Sequence, residues 1–252
     1  MMKNQTHTAA SLIFLSASLC SQAVMAMDTQ VSAGLITSGT AKISSSASST
    51  FGYDVKNYSG TQLGLALLFD NHNYLMANTR NIKGTADFAG EMTRTDNLIA
   101  WSPGYNAENA SVYFGWKTGD SKVAFKGKDM YNFSSNGPFL GMTKIVRFTP
   151  NVIGSFNLSV QYIMQGTYRP SSQIYADKSS DSMGYGGGIG LTYLINDQFT
   201  VAAEYKGSWN SYKFKTECYN CKVGGLTYTH FTDSYYLDEA IYNAEFTLKY
   251  KF

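Results

Sequence analysis

The sequence has few charged residues and no long apolar run. Asp, Glu, Lys and Arg make up 15% of its 252 residues, whereas about 25% is usual in a soluble domain. The apolar runs are shorter than the roughly 20 residues that a membrane-spanning helix needs, and the Ala, Glu, Lys and Leu excess of a helical bundle is missing. The net charge of +2 provides no basic face, so we expect no nucleic-acid partner.

The chain is rich instead in aromatic residues and glycine. Aromatic side chains form 15% of the sequence, with 19 Tyr and 15 Phe, and 23 residues are Gly. With 44% hydrophobic residues, the chain is too apolar to stay disordered. One domain of this length is allowed, since β-barrels often exceed about 200 residues. The positions of these residues along the chain therefore have to identify the fold.

The N-terminus has the order of a secretory signal peptide. Lys3 is followed by an apolar run from Ala9 to Leu19 and then by Val24-Met25-Ala26. A charged start, a short apolar core and small residues before the cleavage point are typical of such leaders. The order predicts a signal peptide over residues 1–26 and a mature chain over residues 27–252.

Two cysteines remain in the mature chain, Cys218 and Cys221. Because exported proteins fold in oxidising compartments, we predict that they form a disulfide. A redox dithiol and half of a metal site are the alternatives, but no thioredoxin-like strand and helix pattern surrounds them and His230 is the only nearby imidazole. The sequence contains no clustered metal-ligand or phosphate-binding pattern either, so we expect no metal and no cofactor.

Residues alternate with period two through the mature chain, most clearly at its C-terminus. In a strand, successive side chains point to opposite faces. One face of the last segment is therefore apolar and the other is polar. The apolar face contains Tyr242, Ala244, Phe246, Leu248, Tyr250 and Phe252, and the polar face contains Asn243, Glu245, Thr247, Lys249 and Lys251.

Such alternation fits a soluble sandwich with its apolar faces inward or a membrane barrel with these faces outward. Aromatic spacing separates the two folds. Phe199 and Trp209, like Tyr242 and Phe252, lie 10 residues apart at the two ends of one apolar face. A strand of that length, tilted by about 40°, spans about 25 Å, the height of the apolar band of a membrane barrel. We therefore predict an all-β fold, an antiparallel transmembrane β-barrel over residues 27–252.

The chain resembles the outer-membrane β-barrels of Gram-negative bacteria. Members of this class typically end their last strand in an aromatic residue that the barrel-assembly machinery reads, and the C-terminal residues Phe246, Leu248, Tyr250 and Phe252 match that signal. The resemblance implies a multi-pass barrel in the bacterial outer membrane, with membrane lipid and the assembly machinery as partners. It includes no subfamily motif and therefore assigns no functional residue.

Turn residues and alternation divide the mature chain into twelve predicted strands, with ten as the alternative. The predicted strands lie near 29–39, 50–57, 61–69, 74–83, 91–101, 110–117, 121–127, 141–149, 156–168, 183–194, 199–209 and 237–252. An even number places both termini in the periplasm, with short periplasmic turns and longer outer loops. We expect short turns at 118–120, 150–155 and 195–198, and long loops at 128–140, 169–182 and 210–236.

The inward face of the barrel is where we expect function. Its predicted lining is polar and charged, and contains Arg147, Gln161, Gln165, Glu204, Lys206, Glu245 and Lys249. These side chains either line a water-filled pore that selects small polar solutes or pair with one another in a plugged interior. Four glycines at alternate positions from Gly184 to Gly190 share this face, which provides either space or curvature.

Enzyme motifs are missing from the sequence. The mature chain has His72, in a turn, and His230, and no Gly-x-Ser-x-Gly elbow or other spaced motif supports a triad. We therefore expect no enzyme and no catalytic residue. The leading hypothesis is a channel for passive diffusion of small hydrophilic solutes. The alternative is a non-conducting surface barrel (adhesin, receptor or structural protein) that acts through outer loops such as the aromatic segment 210–236.

Overall fold

A computed structural model describes residues 26–45, 52–69, 72–86, 90–104, 110–126, 128–170, 177–179, 182–223 and 226–252. The regular secondary structure in these ranges is β-strand. Within the same ranges, no helix has the length and apolar character needed to cross a membrane. The predicted signal peptide lies outside the described residues except for Ala26, and it stays a prediction.

Strand segments follow one another along the whole described chain. They are β1 (Ala26–Ser45), β2 (Gly52–Phe69), β3 (Tyr74–Ala86), β4 (Gly90–Ser102), β5 (Ala110–Phe125), β6 (Lys128–Thr149), β7 (Val152–Ile163), β8 (Gln165–Pro170), β9 (Asp177–Ser179), β10 (Ser182–Leu194), β11 (Phe199–Val223) and β12 (Leu226–Lys251).

Ten of these segments close an antiparallel barrel. Strands β1 to β7 each pair with the next along the chain, β7 then pairs with β10, and β10, β11 and β12 continue the ring until β12 meets β1. The other two segments extend one end of this ring. β8 continues β7 after Met164 and pairs with β6, while β9 joins β8 to β11. The prediction of an all-β antiparallel barrel is confirmed.

The prediction of twelve barrel strands is wrong, and the alternative of ten fits. Predicted strands 50–57 and 61–69 merge into β2, which is described from Gly52 to Phe69. The chain passes through a bulge here rather than a turn, because Asn57 has a φ of 54° and the pairing of β2 with β3 shifts its register between Lys56 and Ser59. A single left-handed residue absorbs the irregularity that the sequence suggested was a hairpin.

Predicted strands 110–117 and 121–127 likewise merge into β5, which ends at Phe125. The expected turn at 118–120 does not form. Gly119 is buried on the inward face, directly opposite Asp96 of β4. Its lack of a side chain is a packing requirement of the barrel interior and not a turn signal.

Two of the expected long loops are strands as well. β6 includes 128–140, and the hairpin of β11 and β12 continues through 210–236 apart from the two residues between Val223 and Leu226. Aromatic and β-branched residues favour paired, extended backbone, so these segments prolong the sheet. The expected loop 169–182 contains β9, and residues 171–176 and 180–181 of it lie outside the described part of the chain.

Both ends of the described chain and the short turns lie at the same end of the barrel. Thr149 Oγ1 accepts a hydrogen bond from the amide of Val152 over 3.0 Å in the turn after β6, and Asn196 Oδ1 accepts one from the amide of Phe199 over 2.7 Å in the turn after β10. The expected turns at 150–155 and 195–198 are therefore confirmed. The first turn is shorter than expected, because β7 already begins at Val152. Since short turns are periplasmic in this class of barrel, we call this the periplasmic end and the other the extracellular end.

The outward face is apolar, with aromatic residues at two heights. Phe199 is 37% exposed and Trp209 is 42% exposed on β11, and Tyr242 is 46% and Phe252 is 70% exposed on β12. The ring of Trp209 stacks on Tyr185 of β10 at a centroid distance of 5.6 Å. An apolar exterior of this extent is stable against lipid and not against water. The barrel therefore spans a membrane, and the ten-residue spacing gives the two interfacial belts.

Substitution of Gly119 by Val tests the merged strand β5. A β-carbon at Gly119 would lie 2.8 Å from Nη2 of Arg94 and 2.9 Å from Oγ of Ser135, so we expect overpacking to lower the free energy of unfolding by about 1–3 kcal/mol. Urea unfolding of the refolded barrel in detergent measures this change. The matched control is Gly187→Val on β10, where the nearest atoms would lie at 3.5 Å. Equal stability of the two variants would contradict the inward position of Gly119.

Candidate functional site

The extracellular half of the barrel interior is filled with hydrophobic side chains. They come from eight strands, and none is more than 4% exposed. We call this group the apolar layer: Ile36, Ala41, Ile43, Val55, Tyr58, Ile82, Ala86, Met92, Val123, Ile163, Tyr212, Phe214, Leu237 and Ile241. Most of these residues lie toward the extracellular end of their strand. Because close packing leaves no space for water, the part of the lumen that the structure describes is closed at this height.

A buried carboxylate, Glu239 of β12, lies against the apolar layer. Its Oε1 contacts Nη1 of Arg94 at 2.5 Å, and the side chains of both residues are 2% exposed. Arg94 belongs to β4, so this ion pair crosses the lumen. The guanidinium also contacts Asp96, with Nη2 to Oδ1 at 2.8 Å and Nε to Oδ1 at 2.9 Å. One arginine therefore neutralises carboxylates from two strands.

Three uncharged side chains complete this arrangement, which we call the Glu239 cluster. Ser121 of β5 accepts a hydrogen bond from Arg94 over 2.9 Å and donates one to Glu239 over 3.0 Å. Asn210 and Tyr212 of β11 donate to Oε2 of Glu239 over 3.1 Å and 3.3 Å. Both carboxylate oxygens thus have partners, which is the condition under which a buried charge is tolerated.

A second ion-pair group lies at Glu245, nearer the periplasmic end of β12. Its Oε1 is 2.6 Å from Nη2 of Arg80, and its Oε2 is 2.6 Å from Nζ of Lys206. Lys206 also contacts Glu204 at 2.5 Å, while Asn243 donates to Oε1 of Glu245 over 3.1 Å. The carboxylates of this group, Glu204 and Glu245, are therefore paired with cations, as are Asp96 and Glu239.

A cavity of about 540 Å³ lies between these groups and the periplasmic end. Asp96 and Asn210 line it on the extracellular side, and Tyr74, Leu194 and Lys249 line it close to the strand ends at the periplasmic side. The described interior thus has two parts, a closed half toward the extracellular end and an open half toward the periplasm.

The glycines from Gly184 to Gly190 make room for neighbouring side chains. A β-carbon at Gly184 would lie 2.4 Å from Oδ1 of Asn210, and one at Gly190 would lie 2.8 Å from Oγ of Ser155 and 2.9 Å from Cγ of Glu204. Gly184, Gly186 and Gly188 also line the cavity. The inward glycine wall that the sequence indicated therefore provides space, part of which its neighbours fill.

The structure brings five of the seven predicted lumen residues into the interior. Gln161 and Glu245 are buried, and the other three line the cavity: Glu204, Lys206 and Lys249. Arg147 instead lies exposed at the periplasmic rim, where Nη1 donates to the carbonyl of Pro150 over 3.0 Å. The side chain of Gln165 lies outside the described part of the chain. That these residues line a conducting pore stays a prediction.

The Glu239 cluster was not predicted from the sequence. Arg94 and Asp96 lie two residues apart on one face of a segment whose alternation is weak, and the short spacing of two opposite charges on an inward face was the available signal. Nothing in the local sequence indicated Glu239 as their partner, because 145 residues separate it from Arg94. Gly119, which leaves space for this pair, belongs to the turn that the sequence predicted at 118–120.

The C-terminal residues lie on the outward face of β12. Phe246 and Leu248 are exposed, and Tyr250 packs edge-on against Phe252 with ring centroids 4.8 Å apart. The backbone amide of Phe252 donates to the carbonyl of Thr29 over 2.9 Å. This position at the free end of the last strand is accessible to a partner, and recognition by the assembly machinery stays a prediction.

The cysteine pair lies on one strand, where Cys218 faces Phe231 and Cys221 faces Tyr228 across the hairpin of β11 and β12. Three steps of extended strand separate two Cα atoms by about 10 Å, whereas a disulfide needs about 4.4–6.8 Å. Their side chains lie outside the described part of the chain. The disulfide stays a prediction, and it requires the strand to change conformation locally.

No protein-family model and no curated protein matches the chain. Among solved structures, it is similar to the outer membrane protease OmpT from Escherichia coli, with 12% identity, 90% of this chain and 97% of that chain covered, and a TM-score of 0.60. The translocator domain of autotransporter NalP from Neisseria meningitidis gives 10% identity, 98% and 96% coverage, and a TM-score of 0.46. The outer membrane protein OprG from Pseudomonas aeruginosa gives 15% identity, with 90% of this chain and 97% of that chain covered, and a TM-score of 0.37. Such likeness shows the fold alone, and of these three only OmpT has a score above 0.5.

The closed barrel, its lipid-facing exterior and its likeness to an outer-membrane protein agree with the resemblance drawn from the C-terminal residues. The chain is an outer-membrane β-barrel of the Gram-negative type, located in the bacterial outer membrane. Its biochemical function is not fixed by the fold. Because the OmpT structure is that of a protease, the expectation of no enzyme is not confirmed.

Replacement of Arg94 by Met tests the Glu239 cluster. The substitution leaves Asp96 and Glu239 buried without their cation, so we expect the free energy of unfolding to fall by about 3–5 kcal/mol. The control is Lys251→Met, which breaks the ion pair with Asp28, 2.8 Å long and with side chains 44% and 26% exposed; that loss should stay below about 1 kcal/mol. Urea unfolding in detergent measures both. Similar losses in the two variants would show that the cluster is not buried.

Proposed function

We propose that this outer-membrane β-barrel is a non-conducting surface protein that acts through its extracellular hairpins. The observation that carries the proposal is the ion pair of Arg94 and Glu239, which crosses the lumen beneath the apolar layer. It favours the second of the two functions that the sequence left open. A passive channel needs a continuous path of water, and the described interior is packed at this height.

The partners of Glu239 stabilise the closed form of the barrel. Its carboxylate accepts hydrogen bonds from Arg94, Ser121, Asn210 and Tyr212, which come from three other strands. Breaking a buried pair and leaving one charge unpaired costs about 3–5 kcal/mol. Opening a water path would also expose the apolar layer, at about 25 cal/mol per Å². The closed form is therefore stabilised by two independent terms.

The hairpin of β11 and β12 is the main feature beyond the membrane. β11 continues from the aromatic belt at Trp209 to Val223, and its pairing with β12 persists to Leu226. These additional residues add about 45 Å of strand, or about 35 Å of height at a tilt near 40°. β9 supports the base of this hairpin by pairing with Phe214 and Lys215. A paired ribbon of this height presents a surface to partners outside the cell.

A channel is the second candidate, and the cavity favours it. Its lining includes Arg80, Lys117, Glu204 and Lys206, and mixed charges of this kind select small polar solutes in pores. Conduction would require the Glu239 cluster to separate. We propose no proteolytic role: His72, the one histidine whose side chain the structure describes, lies at the periplasmic end after β2.

Conductance of the refolded protein in a planar bilayer distinguishes the two functions. We expect no resolvable single-channel current at high salt, because the apolar layer and the Glu239 cluster leave no water path. Resistance of the barrel to protease in the same lipid serves as the control that the protein has inserted. Reproducible current steps from the wild-type protein would contradict the proposal, and block of that current by solutes would then give the substrate class.

Accessibility of the hairpin on intact cells tests the second half of the proposal. An epitope inserted between Val223, the last residue of β11, and Leu226, the first residue of β12, should be stained by antibody from outside. The control is the same epitope between Ile195 and Asn196, in the turn at the opposite end of the barrel, which should be stained only after permeabilisation. The reverse pattern would place the hairpin in the periplasm and exclude a surface role.

A further inference from the structure

The cavity at the periplasmic half contains more positive than negative charge. Its lining includes four cationic side chains, Arg80, Lys117, Lys206 and Lys249, and two carboxylates, Asp96 and Glu204. Asp96 is paired with Arg94 from outside the cavity lining, and Lys206 holds both Glu204 and Glu245. The acidic groups are thus already engaged within the networks described above.

Two of the four cations have no ion-pair partner within the described structure. Arg80 contacts Glu245 at 2.6 Å and Lys206 contacts Glu204 at 2.5 Å, whereas neither Lys117 nor Lys249 lies within 4.0 Å of a carboxylate oxygen of a described residue. Both residues nevertheless line the cavity, and the carboxylates that act on them, Asp96 and Glu204, are already bound by Arg94 and Lys206. An unpaired charge in such a place is costly unless water or a ligand of opposite sign compensates it.

The remaining cavity wall is suited to hydroxyl groups. Ser155, Asn157 and Ser159 of β7 line the cavity beside the inward glycines of β10, with Ser159 paired to Gly186 and Asn157 to Gly188. Serine and asparagine donate and accept hydrogen bonds, and the glycines leave room beside them. The volume of about 540 Å³ lies within the range of about 300–1,000 Å³ that is usual for small-molecule sites.

We propose that this cavity binds a small, multiply hydroxylated organic anion that enters from the periplasm. Lys117 and Lys249 supply the positive charge that attracts the anion into the cavity, and the polar side chains of β7 bind its hydroxyl groups. The Glu239 cluster and the apolar layer close the far side, so the cavity is a dead end that holds the ligand. A sugar acid and a sugar phosphate share this chemistry, and the structure does not prefer one of them.

Isothermal titration of the refolded protein in detergent tests the proposal with three probes of similar size. Gluconate presents a carboxylate, glucose 6-phosphate presents a phosphate, and glucose is the neutral control. We expect at least one of the anions to bind, with glucose at least about ten-fold weaker, the loss expected for one charge-assisted hydrogen bond. Higher salt should weaken anion binding and leave glucose unaffected.

Three variants assign the binding to the cavity. Lys117→Gln and Lys249→Gln should each weaken anion binding by about ten-fold. The control is Lys144→Gln, which removes the same charge from the exposed outward face of β6 and should leave the affinity unchanged. If Lys117→Gln fails to fold, as judged by resistance of the barrel to protease, Lys249→Gln still carries the test.

Three results would contradict the proposed anion site. Absence of binding for both anions up to about 10 mM, equal affinity for glucose, or unchanged affinity in Lys117→Gln and Lys249→Gln would each overturn the proposal. The outcome of the binding experiment does not depend on the outcome of the conductance measurement. Current through the bilayer with anion binding intact overturns the proposed surface function alone, and a silent bilayer without anion binding overturns the cavity site alone.

Discussion

The buried carboxylate of Glu239 is the constraint around which the interior of this barrel is organised. Withdrawing a charge from water is tolerated only when the charge is paired and its oxygens have hydrogen-bond donors. Here Arg94, Ser121, Asn210 and Tyr212 supply these donors from β4, β5 and β11. One side chain thus connects four of the ten barrel strands, fixes the distance across the lumen and forms the boundary between the closed and the open half.

The size of the barrel explains why its interior has two different halves. Eight strands leave a lumen that side chains can fill, and much larger barrels leave an aqueous channel. The ten-strand ring lies between these limits. Large residues such as Tyr58, Met92 and Tyr212 fill the extracellular half. Opposite the inward glycines of β10, the same diameter leaves a cavity. The choice of large or absent side chains at inward positions therefore decides where the barrel is closed.

The sequence predicted the outward face well and the inward face only in part. Period-two alternation and the ten-residue spacing of Phe199 and Trp209 depend on the local strand and the lipid around it, so a single segment reveals them. The contact of Arg94 with Glu239 depends on which strands face each other across the lumen, and no local pattern contains that information. The prediction of twelve strands was wrong for a related reason. Gly119 and Asn57 have the residue types of turns. In the structure, however, Gly119 packs against Asp96 and Asn57 forms a bulge.

The aromatic segment that the sequence suggested as a loop shows the same distinction. Its residue types indicated paired backbone as well as exposure, and the structure continues β11 and β12 through it. The extended strands could be predicted once the two halves of this segment were paired with each other in one hairpin. The apolar layer was harder to predict, because its members are single inward residues from eight strands.

Thiol accessibility from the two sides of the membrane tests the central claim, that the lumen is closed on the extracellular side and open to the periplasm. In a background of Cys218→Ser and Cys221→Ser, Val55→Cys places a thiol in the apolar layer and Ser159→Cys places one in the cavity. A membrane-impermeant thiol reagent should modify Ser159→Cys from the periplasmic side alone and Val55→Cys from neither side. Modification of Val55→Cys at a comparable rate, or of Ser159→Cys equally from both sides, would show a continuous water path and contradict the account.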